Sequence, residues 1–151
     1  MRIVLQRVSR ASVRVDGQTT GSVESGLLIL IGIGAADVAE DVDHAVEKVA
    51  NLRIFPDGQG LMNRSLRETG GSALVVSQFT LLADVHKGRR PSFIAAAAPE
   101  VAEPLVDRFV AMLKEAGIRT ETGIFGAAME VELVNDGPVT ILLEVSEGRV
   151  I

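Results

Sequence analysis

Residues 27–33 read Leu-Leu-Ile-Leu-Ile-Gly-Ile, seven positions without a polar side chain. A strand with one wet face alternates apolar and polar residues, so a run this uniform predicts a strand buried on both faces. Two other stretches carry a helical period. Val38, Val42, Ala45, Val46, Val49 and Leu52 mark one face of a first helix. Asp37 and Glu40 stand at its start with capping-box spacing, Asp taking the place of Ser or Thr. A second helix begins at Pro99 or Glu103, turns Leu105, Val106, Phe109, Val110, Met112 and Leu113 inward, and stops at Gly117. Pro104 either fits its first turn or kinks it.

Strands and turns account for the rest. Arg2–Val15 and residues 20–23 form a hairpin through Asp16-Gly17, a two-residue loop signal. Residues 56–60 and Gly70-Gly71 are turns, and residues 62–68 between them are a short helix or an irregular loop. Residues 73–76 are a buried strand that runs straight into Ser77-Gln78-Phe79-Thr80. The alanine run 95–98 is loop or helix entry, and there is no internal repeat, linker or low-complexity segment. Strands outnumber helices and hairpins dominate, which predicts the α+β class in one domain spanning residues 1–151.

Composition narrows the function. The chain is 47% hydrophobic and 23% charged, the balance of a globular protein. It has no cysteine, which removes disulfides, thiolate nucleophiles and cysteine-bound metals. No apolar run reaches the length of a membrane span, and Met1-Arg2-Ile3-Val4 lacks the apolar core of a signal peptide. A cytoplasmic protein with no membrane partner is therefore expected. The net charge of −5 argues against general coating of nucleic acid, so any RNA contact must come from a local basic patch. Gly32-Ile33-Gly34-Ala35-Ala36-Asp37 imitates a dinucleotide fingerprint, with Asp57 about 20 residues on. The third glycine position holds Asp37, however, and its carboxylate competes for the helix N-terminus that pyrophosphate would need. Capping is the preferred reading. A nucleotide-binding α/β domain using Gly32 and Gly34 is the rival, and a thermal shift with ATP or NAD would reveal it.

Reactive groups are few. His44 lies among acids on the first helix and reads as a solvated residue, and His86 stands in a polar loop. No HExxH, GxSxG, P-loop lysine or paired-histidine pattern is present, so neither a triad nor a metal hydrolase is expected, nor any cofactor. Ser77, Gln78 and Thr80 follow four apolar residues, where the chain leaves the core. A strand end at a pocket rim suits backbone N–H groups aimed at a developing oxyanion; the plainer reading is that Ser and Thr end a strand. His86-Lys87-Gly88-Arg89-Arg90-Pro91 is the densest basic segment of an acidic chain, either a solvated face or, beside a pocket, a grip for phosphate. Asn135-Asp136-Gly137-Pro138-Val139-Thr140 separates an apolar–acidic alternation from an almost wholly apolar run, the pattern of strand, tight loop, strand. An ordinary hairpin turn accounts for Asn-Asp-Gly. Gly137 also admits close approach to its backbone, and Pro138 fixes φ, lacks an N–H and allows a cis bond.

SQFT at Ser77, Gln78, Phe79 and Thr80 and NDGPVT at residues 135–140 match, in order and spacing, the SQFT and NxGPxT signatures of the D-aminoacyl-tRNA deacylase (D-tyrosyl-tRNA(Tyr) deacylase) family. The opening MRIVLQRVSRASVRVDG, and NLRIFPDGQGLMN, KGRRPSF and ETGIFGA further on, resemble the same family, so the likeness covers the whole chain. The resemblance implies a mainly antiparallel, barrel-like sheet with two main helices, in an obligate homodimer with active sites at the interface. It implies hydrolysis of the ester between a D-amino acid, and glycine with it, and the 3′-terminal ribose of tRNA. It implies aminoacyl-tRNA as the partner, with no DNA and no metal. Carried over, Ser77, Gln78, Phe79 and Thr80 line the pocket of one subunit. Gly137 and Pro138, joined by a cis peptide, enter it from the other subunit as a chiral gate, and Lys87, Arg89 and Arg90 grip the acceptor end.

The resemblance leaves Thr80 as either a nucleophile or a hydrogen-bonding wall residue. No histidine base stands in the motifs, so the preferred route has the terminal ribose 2′-hydroxyl helping to activate water while N–H groups near Phe79 hold the oxyanion. Leu82, Val85 and His86 depart from the Tyr, Thr and Arg of a typical bacterial member, which bears on tRNA contact rather than on the reaction. A non-catalytic dimer that binds tRNA ends is the rival from another class, and hydrolysis of D-tyrosyl-tRNA separates the two.

Overall fold

The computed structural model describes residues 1–151. Its spine is β1, Arg2–Val15, a strand long enough to pair with three others. A tight turn at Asp16 and Gly17, with φ of +50° and +76°, returns the chain along β2, Gln18–Val23, as Asp-Gly predicts. β3, Gly26–Gly32, lies antiparallel along the first half of β1. Only Leu30 of this strand is not fully buried. Leu27, Ile29 and Ile31 face one apolar cluster and Leu28 the other, so both faces are covered, as the uniform run requires.

α1, Ala39–Asn51, buries Val42, Ala45, Val46 and Val49 and leaves Val38 exposed. Its start corrects the expected cap. Val38 is the N-cap residue, and the Asp41 carboxylate accepts the Val38 N–H at 2.9 Å, one position beyond the Asp37 and Glu40 pair. Asp37 instead accepts the Gly34 N–H at 2.5 Å and the Met1 ammonium at 2.7 Å, which ties the chain start to the end of β3. Residues 62–68 turn out to be part strand and part helix. β4, Phe55–Pro56, and β5, Met62–Arg64, form a small separate ladder, and α2, Leu66–Thr69, is one turn closed by a Ser65–Glu68 capping box. A short third helix thus joins the two expected.

β6, Ser72–Ser77, pairs parallel with β3 after a crossover that contains α1. α3, Pro99–Glu115, opens at Pro99 and buries Val106, Phe109 and Leu113, and Gly117 follows it with φ +82°. It leads to β7, Thr120–Thr122, parallel to β6. β8, Glu130–Ser146, and β9, Arg149–Val150, complete a sheet of order β7-β6-β3-β1-β8-β9, with β2 on the second half of β1. The sheet is otherwise antiparallel and curls into a half-barrel. The helices pack with one apolar cluster, and Val8, Ala11, Val13, Val23, Leu28, Leu74 and Val76 fill the other. No helix is long and apolar enough to cross a membrane.

The hairpin reading of residues 135–140 is corrected as well. Both arms of β8 pair antiparallel with the same strand, Asn135 opposite Val8 and Thr140 opposite Gln6. Residues 136–139 stand opposite Arg7 alone, so they form a wide bulge in one continuous strand.

Candidate active site

The parallel ladder of β6 on β3 ends with Ser77 opposite Ile31, and the Gln78 N–H still reaches the Ile31 carbonyl at 2.8 Å. There the chain leaves the sheet in a 3-10 turn, Phe79–Leu82. The Leu81 N–H bonds to the Gln78 carbonyl at 3.2 Å, and the Ala83 N–H to the Thr80 carbonyl at 3.1 Å. The first N–H groups of such a turn have no partner inside it, and here they belong to Phe79 and Thr80. The turn lies so close to β3 that only glycine fits beneath it. A Cβ on Gly32 would come within 2.5 Å of Leu82 Cδ2 and 2.7 Å of the Gln78 carbonyl oxygen. The glycine that imitates a nucleotide fingerprint is a seat for this turn.

Beside the turn lies a cavity of about 540 Å³. Ile31 and Val76 from the sheet, Ala102 and Val106 from α3, and Phe93, Phe125 and Met129 from the loops form most of its wall. Ser77, Gln78 and Phe79 line it too; Thr80 stands just outside, exposed, with its hydroxyl oxygen accepting from Gln78 Nε2. Phe79 is 56% exposed and meets Phe93 edge-on, with centroids 5.1 Å apart. An apolar chamber with a few polar groups at its mouth suits a small organic ligand held in a fixed orientation.

A basic loop springs from the same rim. Asp84 and Ser92 exchange backbone hydrogen bonds of 2.8 and 2.9 Å that close its base. The Asp84 carboxylate accepts the His86 N–H at 2.9 Å and pairs with His86 Nδ1 at 2.6 Å, and these contacts hold the Asp84 carboxyl below the ordinary carboxylate range. His86 is thus engaged in fastening the loop. His44 lies exposed on α1, 3.9 Å from Glu40. Lys87, Arg89 and Arg90 are exposed and form no ion pair. The return leg of the loop carries Phe93 onto the cavity wall, so the loop that bears these three cations is anchored beside the cavity.

The bulge at residues 136–139 is built by two neighbours. Asn135 Oδ1 accepts the Val139 N–H at 2.7 Å, and Asn135 Nδ2 donates to the Val139 carbonyl at 3.2 Å and to Thr140 Oγ1 at 3.1 Å. One side chain therefore replaces the ladder partners that the bulge removes, a physical reason for Asn and Thr at the ends of NxGPxT. From the opposite strand Arg7 Nε donates to the Asp136 carbonyl at 2.8 Å, and Arg7 Nη1 to the Ile54 carbonyl at 2.6 Å. Gly137 has φ +149°, and a Cβ there would lie 2.7 Å from Val139 Cγ2 and 2.8 Å from the Val139 nitrogen. Its peptide bond to Pro138 is cis.

Within one chain the structure brings Ser77, Gln78, Phe79 and Thr80 together with the basic loop beside them. Gly137 and Pro138 it holds apart: both are exposed and neither lines the cavity. Arg7 is a position the motifs do not reach. Its signal in the sequence is parity, because Ile3, Leu5 and position 7 share one face of a strand whose first two members are wholly buried.

The sequence model of the family described as D-Tyr-tRNA(Tyr) deacylase matches residues 4–144. D-aminoacyl-tRNA deacylases of Chloroflexus aurantiacus and Thermomicrobium roseum are 57% and 58% identical over 149 residues. Each alignment covers 99% of this chain, and 93% and 97% of the respective relative. Among solved structures, the c-Myc DNA Unwinding Element Binding Protein superposes with a TM-score of 0.89 at 40% identity, over 95% of this chain and 98% of its own. A probable eukaryotic D-amino acid tRNA deacylase superposes with a TM-score of 0.82 over 93% and 97%; at 22% identity this is a likeness of fold. Fold, signatures and full-length match define an enzyme, a hydrolase of the D-aminoacyl-tRNA deacylase class. The chain belongs to the D-Tyr-tRNA(Tyr) deacylase family, whose substrate class is aminoacyl-tRNA.

Proposed function

We propose that this chain works as a cytoplasmic homodimer that removes D-amino acids, and glycine, from the 3′-terminal ribose of tRNA. Gly137-Pro138 of one subunit closes the Phe79 cavity of the other. One observation carries the reading. The two halves of a single signature set stand apart in one chain, Phe79 at the cavity and Gly137-Pro138 exposed and away from its lining. A second copy supplies the absent wall.

D- and L-amino acids differ in the direction in which the side chain leaves Cα. A fixed backbone wall rejects one by collision, whereas a side-chain pocket discriminates a methylene by only about 1–3 kcal/mol. Glycine has nothing to collide and passes. Lys87, Arg89 and Arg90 hold phosphates of the acceptor end. At the ester, the Phe79 and Thr80 N–H groups suit a developing oxyanion. Thr80 is bonded to the Gln78 amide, which takes up no proton at neutral pH, and a threonine without a base is a poor nucleophile. The ribose 2′-hydroxyl, adjacent to the scissile ester, is the group that helps water attack. Exhaustive chelation should leave the rate unchanged once magnesium effects on tRNA folding are controlled.

Single-turnover deacylation of D-tyrosyl-, glycyl- and L-tyrosyl-tRNA, with sedimentation equilibrium on the same preparation, tests the proposal. The expected result is a dimer that cleaves the D ester, cleaves the glycyl ester to some degree and spares the L ester. A fully active monomer, or equal rates on the two enantiomers, would refute it. The solved relative named for binding a DNA unwinding element gives the second reading, in which the exposed cations hold nucleic acid without chemistry. Tight single-stranded DNA binding with no D-tyrosyl-tRNA hydrolysis would favour that one.

A further inference from the structure

The cations that lack a carboxylate partner are unevenly spread. Arg10 and Arg149 stand singly, and Lys48 and Lys114 lie in the last turns of the two long helices, α1 and α3, where the helix dipole accounts for them. Two groups remain. One is the loop group, Lys87, Arg89 and Arg90. The other is Arg53, Arg64 and Arg67, all exposed and without an ion pair, between the end of α1 and α2.

Carboxylates near the second group are already engaged. Glu68 accepts the Ser65 N–H at 2.7 Å, and Asp57 accepts those of Gln59 and Leu61 at 2.8 and 3.0 Å. These bonds, from Ser65 and from Gln59 first, hold both carboxyls below the ordinary carboxylate range. Negative charge is fixed where a cap and a turn use it; Arg64 Nη2 donates to the Glu68 carbonyl at 2.6 Å, and none of the three arginines forms an ion pair with a carboxylate.

The second group is also tied to the bulge. Arg53 precedes Ile54, whose carbonyl accepts Arg7 Nη1 at 2.6 Å, while Arg7 Nε holds the Asp136 carbonyl at 2.8 Å. Arg64 pairs with Phe55 across the β4–β5 ladder. One basic group therefore goes with the cavity and the other with Gly137-Pro138. In the dimer proposed above, on which this inference rests, the two flank the same cavity from different subunits.

We propose that Arg53, Arg64 and Arg67 bind phosphates of the RNA whose aminoacyl end lies in the other subunit's cavity. The substrate is then gripped by both subunits at once, its single-stranded end by the loop and the RNA beyond it by the arginines. Guanidinium groups suit this task because their fork matches phosphate oxygens.

The test compares wild type with Arg53→Gln/Arg67→Gln, a pair whose side chains make no hydrogen bond within the protein. Single-turnover rates are read on D-tyrosyl-tRNA over a range of salt, and on 3′-D-tyrosyl-adenosine, which has no RNA beyond the terminal nucleoside. For tRNA the half-saturating concentration should rise roughly tenfold or more, and the salt slope should shrink by about 0.7–0.9 per lost contact. The nucleoside ester should be split at the wild-type rate. Unchanged affinity and slope would overturn the proposal. Mixing this variant with Lys87→Gln/Arg89→Gln/Arg90→Gln then separates the subunits. If the grip spans them, the mixed dimer holds one site with both groups intact, and tight substrate binding returns in part. If both groups act within one chain, every site stays defective and the two-subunit grip is wrong. A wild type that leaves even the nucleoside ester intact would instead count against the function proposed above.

Discussion

Gly137 is held at a backbone conformation that side chains rarely adopt, and its Cβ space is taken by Val139. Gly137→Ala should therefore disturb the whole bulge, costing about 1–3 kcal/mol, and should abolish D-tyrosyl-tRNA cleavage. A melting curve beside the single-turnover assay checks both. Asn135→Ala is the gentler probe. It removes three hydrogen bonds at a half-exposed site, each worth about 0.5–1.5 kcal/mol net, without adding atoms. A loosened wall should lose selectivity, so the ratio of D-tyrosyl to L-tyrosyl rates should fall further than the melting temperature suggests. An unchanged ratio would mean that rejection is not built into this loop. Thr80→Ser should be nearly silent and Thr80→Ala partly active. An acyl-Thr80 adduct trapped by rapid quench would show that the hydroxyl is the nucleophile after all.

Asp41 joins two elements: its carboxylate accepts the Val38 N–H at the start of α1 and the Gly148 N–H at 2.8 Å beside β9. Burial pushes this carboxyl up, yet the Gly148 and Val38 bonds outweigh it and hold it below the ordinary range. A group depressed on folding stabilises the protein above its unfolded pKa of about 3.9, and that contribution is lost as pH falls through the folded value. Asp41→Asn should cost about 1–3 kcal/mol at pH 7, with the gap to wild type closing in strong acid; urea melts at pH 7 and pH 3 would show it. The same residue shows why the cap lies one position beyond the place expected for it. Asp37-Glu40 and Val38-Asp41 have equal spacing, and only the Met1 ammonium and the Gly34 N–H, remote in sequence from any capping pattern, decide which carboxylate caps the helix. Residues 27–33, the helical stripes and Asp16-Gly17 were legible because each signal is local. A bulge and a hairpin share turn chemistry at residues 135–140, and they differ only in which strand each arm meets.

An acidic molecule that handles RNA must confine its attraction to small areas. The three loop cations alone should give a log–log salt slope near −2, at about −0.7 per single-stranded contact. Arg89→Ala should flatten it by one contact and weaken D-tyrosyl- and glycyl-tRNA alike; an effect confined to one amino acid would place Arg89 at the aminoacyl group instead. SQFT and NxGPxT were readable as motifs, and the cavity beside them was not. Its walls come from Phe93, Ala102, Val106 and Phe125, ordinary apolar residues that acquire meaning only when α3 folds over the sheet. Pairing across the sheet has a further consequence. Arg2 lies opposite Glu144, so β1 is completed on that side only by β8, far along the chain. A nascent chain halted before β8 would have the Phe79 turn and most of the cavity wall, but β1 would keep a bare edge and Gly137-Pro138 would be missing. The bulge that carries Gly137-Pro138 is thus formed later in synthesis than the turn that carries Phe79.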